Sequence, residues 1–281
     1  MRKAHAINRT KGYRPRAILF YLFVLFLYAP ILIIGVLSFQ GPLASPTFPM
    51  QGFSLHWFYE AVDPGEYSRQ DFRMPFLRSF VLALIVMCLT TAISFLAGLA
   101  FKNNFKGSLV IIYMAVASLI APAALVSLGI GLSFSNLGLE SHWYSGGLGA
   151  HLSWTLPFGV LIMLAVFSRL DKSIEEAARD SGASSWQTLR YVVIPITLPG
   201  LIAVALFGFT LSYDEYARIS TVVGEYNTLP VELMNAMDIA ASPTIYAIGT
   251  MTTIFSLSVI GVSFLIIYLI QRRRVGRVMS V

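Results

Sequence analysis

Charge is what this sequence has least of. Asp, Glu, Lys and Arg make up 12% of its 281 residues, about half the roughly 25% usual in soluble domains. The shortfall is concentrated. No acidic or basic residue occurs in 17–59, 79–101, 107–139, 141–168, 191–213 or 239–271, and each stretch is long enough to supply the ~20 apolar residues that cross a bilayer core. Six such stretches in so short a chain leave too little polar sequence to cover them as buried helices of a water-soluble protein. Cysteine is almost absent too: Cys88 alone, in the middle of the second stretch, excludes an internal disulfide and a dithiol redox pair. The four histidines, His5, His56, His142 and His151, form no His-Glu-x-x-His motif, and no acid pair inside a stretch could do aspartyl chemistry. No metal site is expected. A serine–histidine pair using His151, at the edge of a stretch, stays open as the route to an intramembrane enzyme. There is no Gly-x-x-x-x-Gly-Lys-Ser/Thr loop to cradle nucleotide phosphates, so the chain is not expected to hydrolyse ATP. Mid-depth ionisable residues, the usual means of proton or ion coupling, are also missing, which argues against a stand-alone secondary transporter or channel.

What is present is apolar: 56% hydrophobic residues and a mean hydropathy of +0.71. The expected fold class is an all-α membrane protein with six transmembrane helices at about 18–39, 77–101, 109–132, 152–167, 199–213 and 245–270. Basic residues before the first span resemble the start of a signal peptide. The apolar run is longer than the usual ~7–15 residues, however, and no small-x-small cleavage site follows, so a retained helix is expected. Pro30, Pro122 and Pro157 fall within or near spans, where neighbouring helices can satisfy the freed backbone groups.

Six spans put both termini on one side. Sixteen of the twenty basic residues lie on that side: the 1–17 tail, Lys102, Lys106, Arg169, Lys172, Arg179, Arg190 and the 271–281 tail. The positive-inside bias makes it the cytoplasm. Residues 18–270 are then the membrane domain, between two basic cytoplasmic tails. Ten of the fourteen acids lie on the outer side, chiefly in the long loops 40–76 and 214–242. The net charge of +6 is thus an orientation signal toward membrane lipid, with no reason to invoke nucleic acid.

The connection between the fourth and fifth spans, residues 168–195, is the most patterned segment. Ser173-x-x-Glu176 has capping-box spacing and predicts a helix from Ile174. Gly182 can adopt the left-handed conformation that ends it. Ser184-x-x-Gln187 predicts a second capped helix, which should stop before Pro195. Ile174, Ala177, Ala178 and Ser181 share one face of the first helix, and their small side chains would admit another surface closely. An amphipathic loop lying on lipid headgroups is the alternative.

This segment resembles the loop signature of ATP-binding-cassette import permeases: Glu-Ala-Ala, three residues, Gly, nine residues, then Ile-x-Leu-Pro. Here the sequence reads Glu176-Ala177-Ala178, Gly182, then Val192-Val193-Ile194-Pro195. Val192 stands for the family Ile and Ile194 for the Leu. The resemblance extends over nearly the whole chain and is greatest to the second permease of polyamine-type importers, a branch that also holds opine and aminoalkylphosphonate systems. Leu156-Pro157-Phe158, Ser168-Arg169-Leu170, Thr210-Leu211-Ser212-Tyr213-Asp214-Glu215, Leu229-Pro230 and Ser242-Pro243 support it. One departure stands out. Such permeases often carry an acid just after the third-span proline, where this chain has Ala123 and Ala124.

The resemblance implies a permease subunit of an importer in a bacterial inner membrane, moving a small amine-containing solute by alternating access. The short helix, with Glu176, Ala177, Ala178, Gly182 and Pro195, would couple the spans to an ATPase dimer. ATP and magnesium would sit on that partner, and this chain would bind no cofactor. A second permease, expected to be a paralogue, and an extracytoplasmic substrate-binding protein complete the partners. For the substrate pathway the candidates are Asp214 and Glu215, a paired carboxylate where the fifth span ends, with Phe209 and Tyr213 as cation–π faces. The bland alternatives are a solvated helix-end pair and an interfacial aromatic belt.

Overall fold

The computed structural model describes residues 13–42, 49–65, 71–103, 105–239 and 242–278. Of the expected tails 1–17 and 271–281, residues 1–12 and 279–281 lie outside them, as does Arg69. The described residues are helical, without strands, in eleven α-helices: α1 (Tyr13–Leu37), α2 (His56–Val62), α3 (Arg73–Phe101), α4 (Ser108–Ile120), α5 (Ala123–Asn136), α6 (Gly146–Phe167), α7 (Lys172–Asp180), α8 (Ser185–Thr188), α9 (Ile194–Tyr213), α10 (Leu229–Ile239) and α11 (Pro243–Val278). Five helical stretches are long and apolar enough to cross a membrane, and the bent pair α4–α5 brings the number to six if it counts as one span. In hydrocarbon a helix satisfies its backbone internally, which is why such runs take no other form.

The chain divides into two compact units, one of residues 1–69 and 237–254, the other of 70–236 and 255–281. In the first, α1 is an apolar helix with little of its surface covered. The segment after it is pinned around the buried Gln40. The Trp57 indole N–H donates to the Gln40 carbonyl at 2.8 Å, and the Gln51 amide donates to Gln40 Oε1 at 3.0 Å. Phe39 sits against both Phe53 and Phe58, with ring centroids 5.1 and 5.0 Å away.

The second unit is built on α3, which packs along α9 and α6 while those two pack on each other. Small residues allow the approach. A Cβ on Gly159 of α6 would stand 2.9 Å from Thr90 Cγ2 of α3 and 3.1 Å from Val204 Cγ1 of α9. One on Gly208 of α9 would come within 3.3 Å of the Met87 backbone. Met163, Phe167, Leu170, Val193 and Val204 form a buried cluster at one end of this trio; Leu82, Val86, Ile219, Val223 and Val231 form another.

Two expectations fail at prolines. The third span is not one helix from 109 to 132: α4 and α5 meet at 106°. Pro122 has no amide hydrogen and disfavours helical backbone in the residue before it, and Ala121 is extended, at φ −62° and ψ 130°. Pro157 and Pro199 stay inside α6 and α9, which α3 holds along their lengths, whereas α4 and α5 have their main helix packing on α6. Nor does the helix beginning at Ser185 stop before Pro195. Residues Leu189–Val193 form a π turn, and the Ile194 amide donates to the Leu189 carbonyl, five residues back. The longer step absorbs the proline without ending the rod, so the fifth span runs Ser185–Tyr213.

Glycine 159 gives a direct check. Gly159→Val should destabilise the isolated chain by about 1–3 kcal/mol through overpacking, read as a lower melting temperature in detergent. Gly129→Val in α5, where a Cβ meets nothing within 4 Å, should leave it unchanged within about 0.5 kcal/mol. Equal effects would mean that α3, α6 and α9 do not meet at Gly159.

Candidate functional site

Two groups of candidate residues occupy opposite ends of α9. The 168–195 connection adopts the expected helix, turn, helix, with differences at the start. Asp171, not Ser173, caps α7: its carboxylate accepts from the Ser173 amide at 2.9 Å. These hydrogen bonds from Ser173, backbone first, hold the Asp171 carboxyl below the ordinary aspartate range. A negatively charged cap is favoured at a helix N-terminus, and the helix starts two residues earlier than expected. Gly182 ends the turn at φ +85° with open space around it, and the Ala183 amide donates back to the Ala178 carbonyl at 3.1 Å. The second capping box is present: Gln187 N donates to Ser184 Oγ at 3.3 Å and Ser184 N to Gln187 Oε1 at 2.8 Å.

The early start sets the faces of α7. Glu176 and Ala177 are exposed, Ala178 is half-buried, and Ile174 is 43% exposed. Trp186 at 63% and Tyr191 at 68% are also open to the outside. Glu175 turns inward and pairs with Lys102 at the end of α3, a contact across 73 residues that sequence spacing could not reveal. Leu170 and Val193, just outside the two short helices, are buried in the cluster with Phe167. The loop is thus anchored at both feet, and its exposed side sets Ile174, Trp186 and Tyr191 among charged residues such as Glu176 and Arg179.

At the other end of α9, the four candidate residues separate. Phe209 and Tyr213 stack at 5.9 Å and join Phe76, Phe80 and Phe255 in an aromatic cluster. Tyr213 is 1% exposed, a core residue in this conformation and not an open cation–π face. Asp214 is exposed, while Glu215 is 7% exposed. Glu215 accepts from the Arg218 amide at 2.8 Å and lies 3.6 Å from the Arg218 guanidinium, which itself rests 4.5 Å over the Trp154 ring. The paired carboxylate of the sequence is therefore split: one member is already neutralised within the chain and the other faces outward. From the sequence Arg218 stands only as the single base among the acids of 214–242; its pairing with Glu215, three residues earlier, is what the structure adds.

His151 is not at an edge but buried inside α6, its Nδ1 2.7 Å from Ser212 Oγ. The Thr155 hydroxyl donates to the His151 carbonyl at 3.0 Å and lies 2.9 Å from Thr90 Oγ1, so a polar seam runs between α3, α6 and α9. The serine–histidine pair exists, but His151 Nε2 has no partner among the described residues, and the Ser212 hydroxyl is buried. A hydrolytic serine needs an oriented base and access for substrate; this arrangement offers neither. Near the same end, Leu128, Gly131, Leu132, Ser135, Glu140 and Thr221 border a cleft of about 430 Å³.

Burial predicts how the two acids differ. Glu215→Ala leaves Arg218 buried without its countercharge and should cost about 3–5 kcal/mol. Asp214→Ala, on the surface, should stay within about 0.5 kcal/mol. Thermal melts of the two variants in detergent check this, and equal shifts would refute the asymmetry.

Comparison with known proteins places this architecture. A model of the family described as "Binding-protein-dependent transport system inner membrane component" matches residues 73–277. The chain is 28% identical over 246 residues to the spermidine/putrescine transport system permease protein PotC of Escherichia coli K12, covering 86% of this chain and 89% of that protein. It is 29% identical over 279 residues to the putrescine transport system permease protein PotI of the same organism, covering 95% and 94%. Its fold is shared, at a TM-score of 0.61 and 19% identity over 97% of this chain and 99% of the other, with a bacterial ABC transporter involved in import of the acidic polysaccharide alginate. A family match that runs from α3 into α11 establishes that the chain belongs to the inner-membrane permeases of binding-protein-dependent ABC importers.

Proposed function

We propose that this permease passes a small amine-bearing solute into the cytoplasm, driven by an ATPase dimer that docks on the α7–α8 loop. The observation that carries the reading is the loop itself. Glu176 and Ala177 stand outward on α7, Trp186 and Tyr191 are exposed on the segment that follows, and both feet of the loop are rooted in the core cluster shared by α6 and α9. A push on α7 is therefore delivered to two spans at once. Glu176, Ala177, Ala178 and Gly182 form the docking helix and its turn, and Pro195 follows the π turn that joins the loop to the fifth span. The excess of basic residues on this end, with the positive-inside bias, puts it and both termini in the cytoplasm, with α4–α5 counted as one of six spans.

The remaining partners follow from the family. A paralogous second permease pairs with this chain, and an extracytoplasmic binding protein delivers solute to the loops at the opposite end. ATP and magnesium belong to the ATPase, since this chain has no phosphate-cradling loop. For substrate, the names of the two curated relatives support a polyamine-like amine. Asp214 supports it as well, as an exposed acid at the outer end of α9. Ala123 and Ala124, where polyamine permeases often carry an acid, favour a ligand with fewer ammonium groups than spermidine.

The test is ATP-driven uptake by the reconstituted complex. A Cβ at Gly182 would meet nothing within 4 Å in this chain, so within the subunit a substitution there acts through its left-handed backbone, which costs L-residues roughly 1–2 kcal/mol. Gly182→Val should lower uptake roughly tenfold while the complex still assembles; Gly182→Asn, whose side chain tolerates that conformation, should keep most of it. Unlabelled putrescine should compete for uptake and a neutral sugar should not. Wild-type uptake by Gly182→Val would remove the coupling role from the loop, and competition by the sugar alone would remove the amine.

A further inference from the structure

The short docking helix has a second attachment besides its two chain connections. Lys102 is the residue that caps the C-terminal end of α3, and its Nζ pairs with Glu175 Oε1 in the first turn of α7. The two side chains are only 11% and 13% exposed. Each charge sits where helix electrostatics favour it: a cation at the carbonyl end of α3 and an anion at the amide end of α7. Because successive helical residues point about 100° apart, Glu175 faces α3 while Glu176 faces outward, and Ala178 follows Glu175 on the inner face.

We infer that Lys102 and Glu175 form a positioning strut that transmits displacement of α7 directly to α3. Without it, the ties of α7 to the bundle among the described residues are chiefly the turn at Arg169–Asp171, the turn at Ser181–Ser184 and its packing on α8 and the π turn. Its movement would reach α6 and α9 but reach α3 only secondhand. With it, all three packed helices receive the same push, and α3 is the one that packs along both of the others. This assignment rests on the coupling reading of the loop. It gives adjacent acids separate tasks: Glu176 toward the partner, Glu175 toward the bundle. A nearly buried pair suits a strut, because parting it strands two poorly hydrated charges, so the contact resists sliding.

The experiment measures uptake and ATP hydrolysis in the assembled complex, with chromatographic confirmation that all subunits co-purify. Lys102→Glu and Glu175→Lys should each lower uptake about fivefold or more while ATP is still hydrolysed, so that the ATP consumed per solute rises. A merely structural contact would not move that ratio. The double variant, Lys102→Glu with Glu175→Lys, should recover uptake to within about twofold of wild type, and Lys102→Arg should retain it. If the reversed variants fail to assemble, Lys102→Gln replaces them, with the same rise in ATP per solute expected. A double variant no better than either single, or an unchanged ratio in Lys102→Gln, overturns the strut. Gly182→Val, run in parallel, separates the two ideas. If it abolishes uptake while the charge variants are silent, the strut alone is wrong; if all are silent, the coupling reading falls with it.

Discussion

The close approach of α3 to α6 and α9 is the contact on which the rest of this molecule depends. Lipid tails are as apolar as leucine, so burying apolar surface gives helices in a membrane little reason to associate; packing and a few hydrogen bonds must do it. Gly159 and Gly208 remove the side chains that would hold the three helices apart, and Thr90, Thr155, His151 and Ser212 hydrogen-bond across the seam so created. Both candidate functional regions hang from the two ends of this trio. The α7–α8 loop joins α6 to α9 at one end. The Glu215–Arg218 turn follows α9 at the other, held to α6 through Trp154.

That arrangement explains why the spans carry no charge at depth while their ends are rich in charged pairs. Lys102–Glu175 and Glu215–Arg218 both lie just past a helix terminus, where partial charges of the backbone reinforce them and water is near enough to limit the cost of burial. A permease that takes its energy from a partner needs no titrating group in the middle of the membrane. It needs stiff connections from the surface that receives the work to the helices that must move.

The six apolar stretches, the glycine turn at Gly182 and the Ser184–Gln187 capping box were legible because each is fixed within a few residues of chain. The break at Pro122 was not. Proline weakens a helix everywhere it occurs, and whether the helix survives depends on neighbours: α6 and α9 are held by α3, α4 and α5 are not. The Ser173 box lost because Asp171, a charged cap two residues earlier, accepts from the Ser173 amide and starts the helix there, which puts Ser173 inside it. Glu215 and Asp214, adjacent in sequence, parted because helix geometry sends neighbours to different sides as the chain leaves α9. Lys102–Glu175 and Trp154–Arg218 join residues far apart along the chain, and nothing short of the packed bundle brings them together.

The π turn at Leu189–Val193 keeps the fifth span stiff. A helix that stopped before Pro195, as the sequence alone suggests, would leave a flexible joint between the loop and the fifth span. Inserting one residue into the hydrogen-bond ladder lets the rod continue from Ser185 to Tyr213 past a residue with no amide hydrogen to give. Thr188 and Val193 on this segment are buried, Val193 in the same cluster as Phe167 and Leu170, so the wider turn is packed and not frayed. The loop and the opposite end of the bundle, where Tyr213 is enclosed by Phe76, Phe209 and Phe255, are thus joined by one continuous helix.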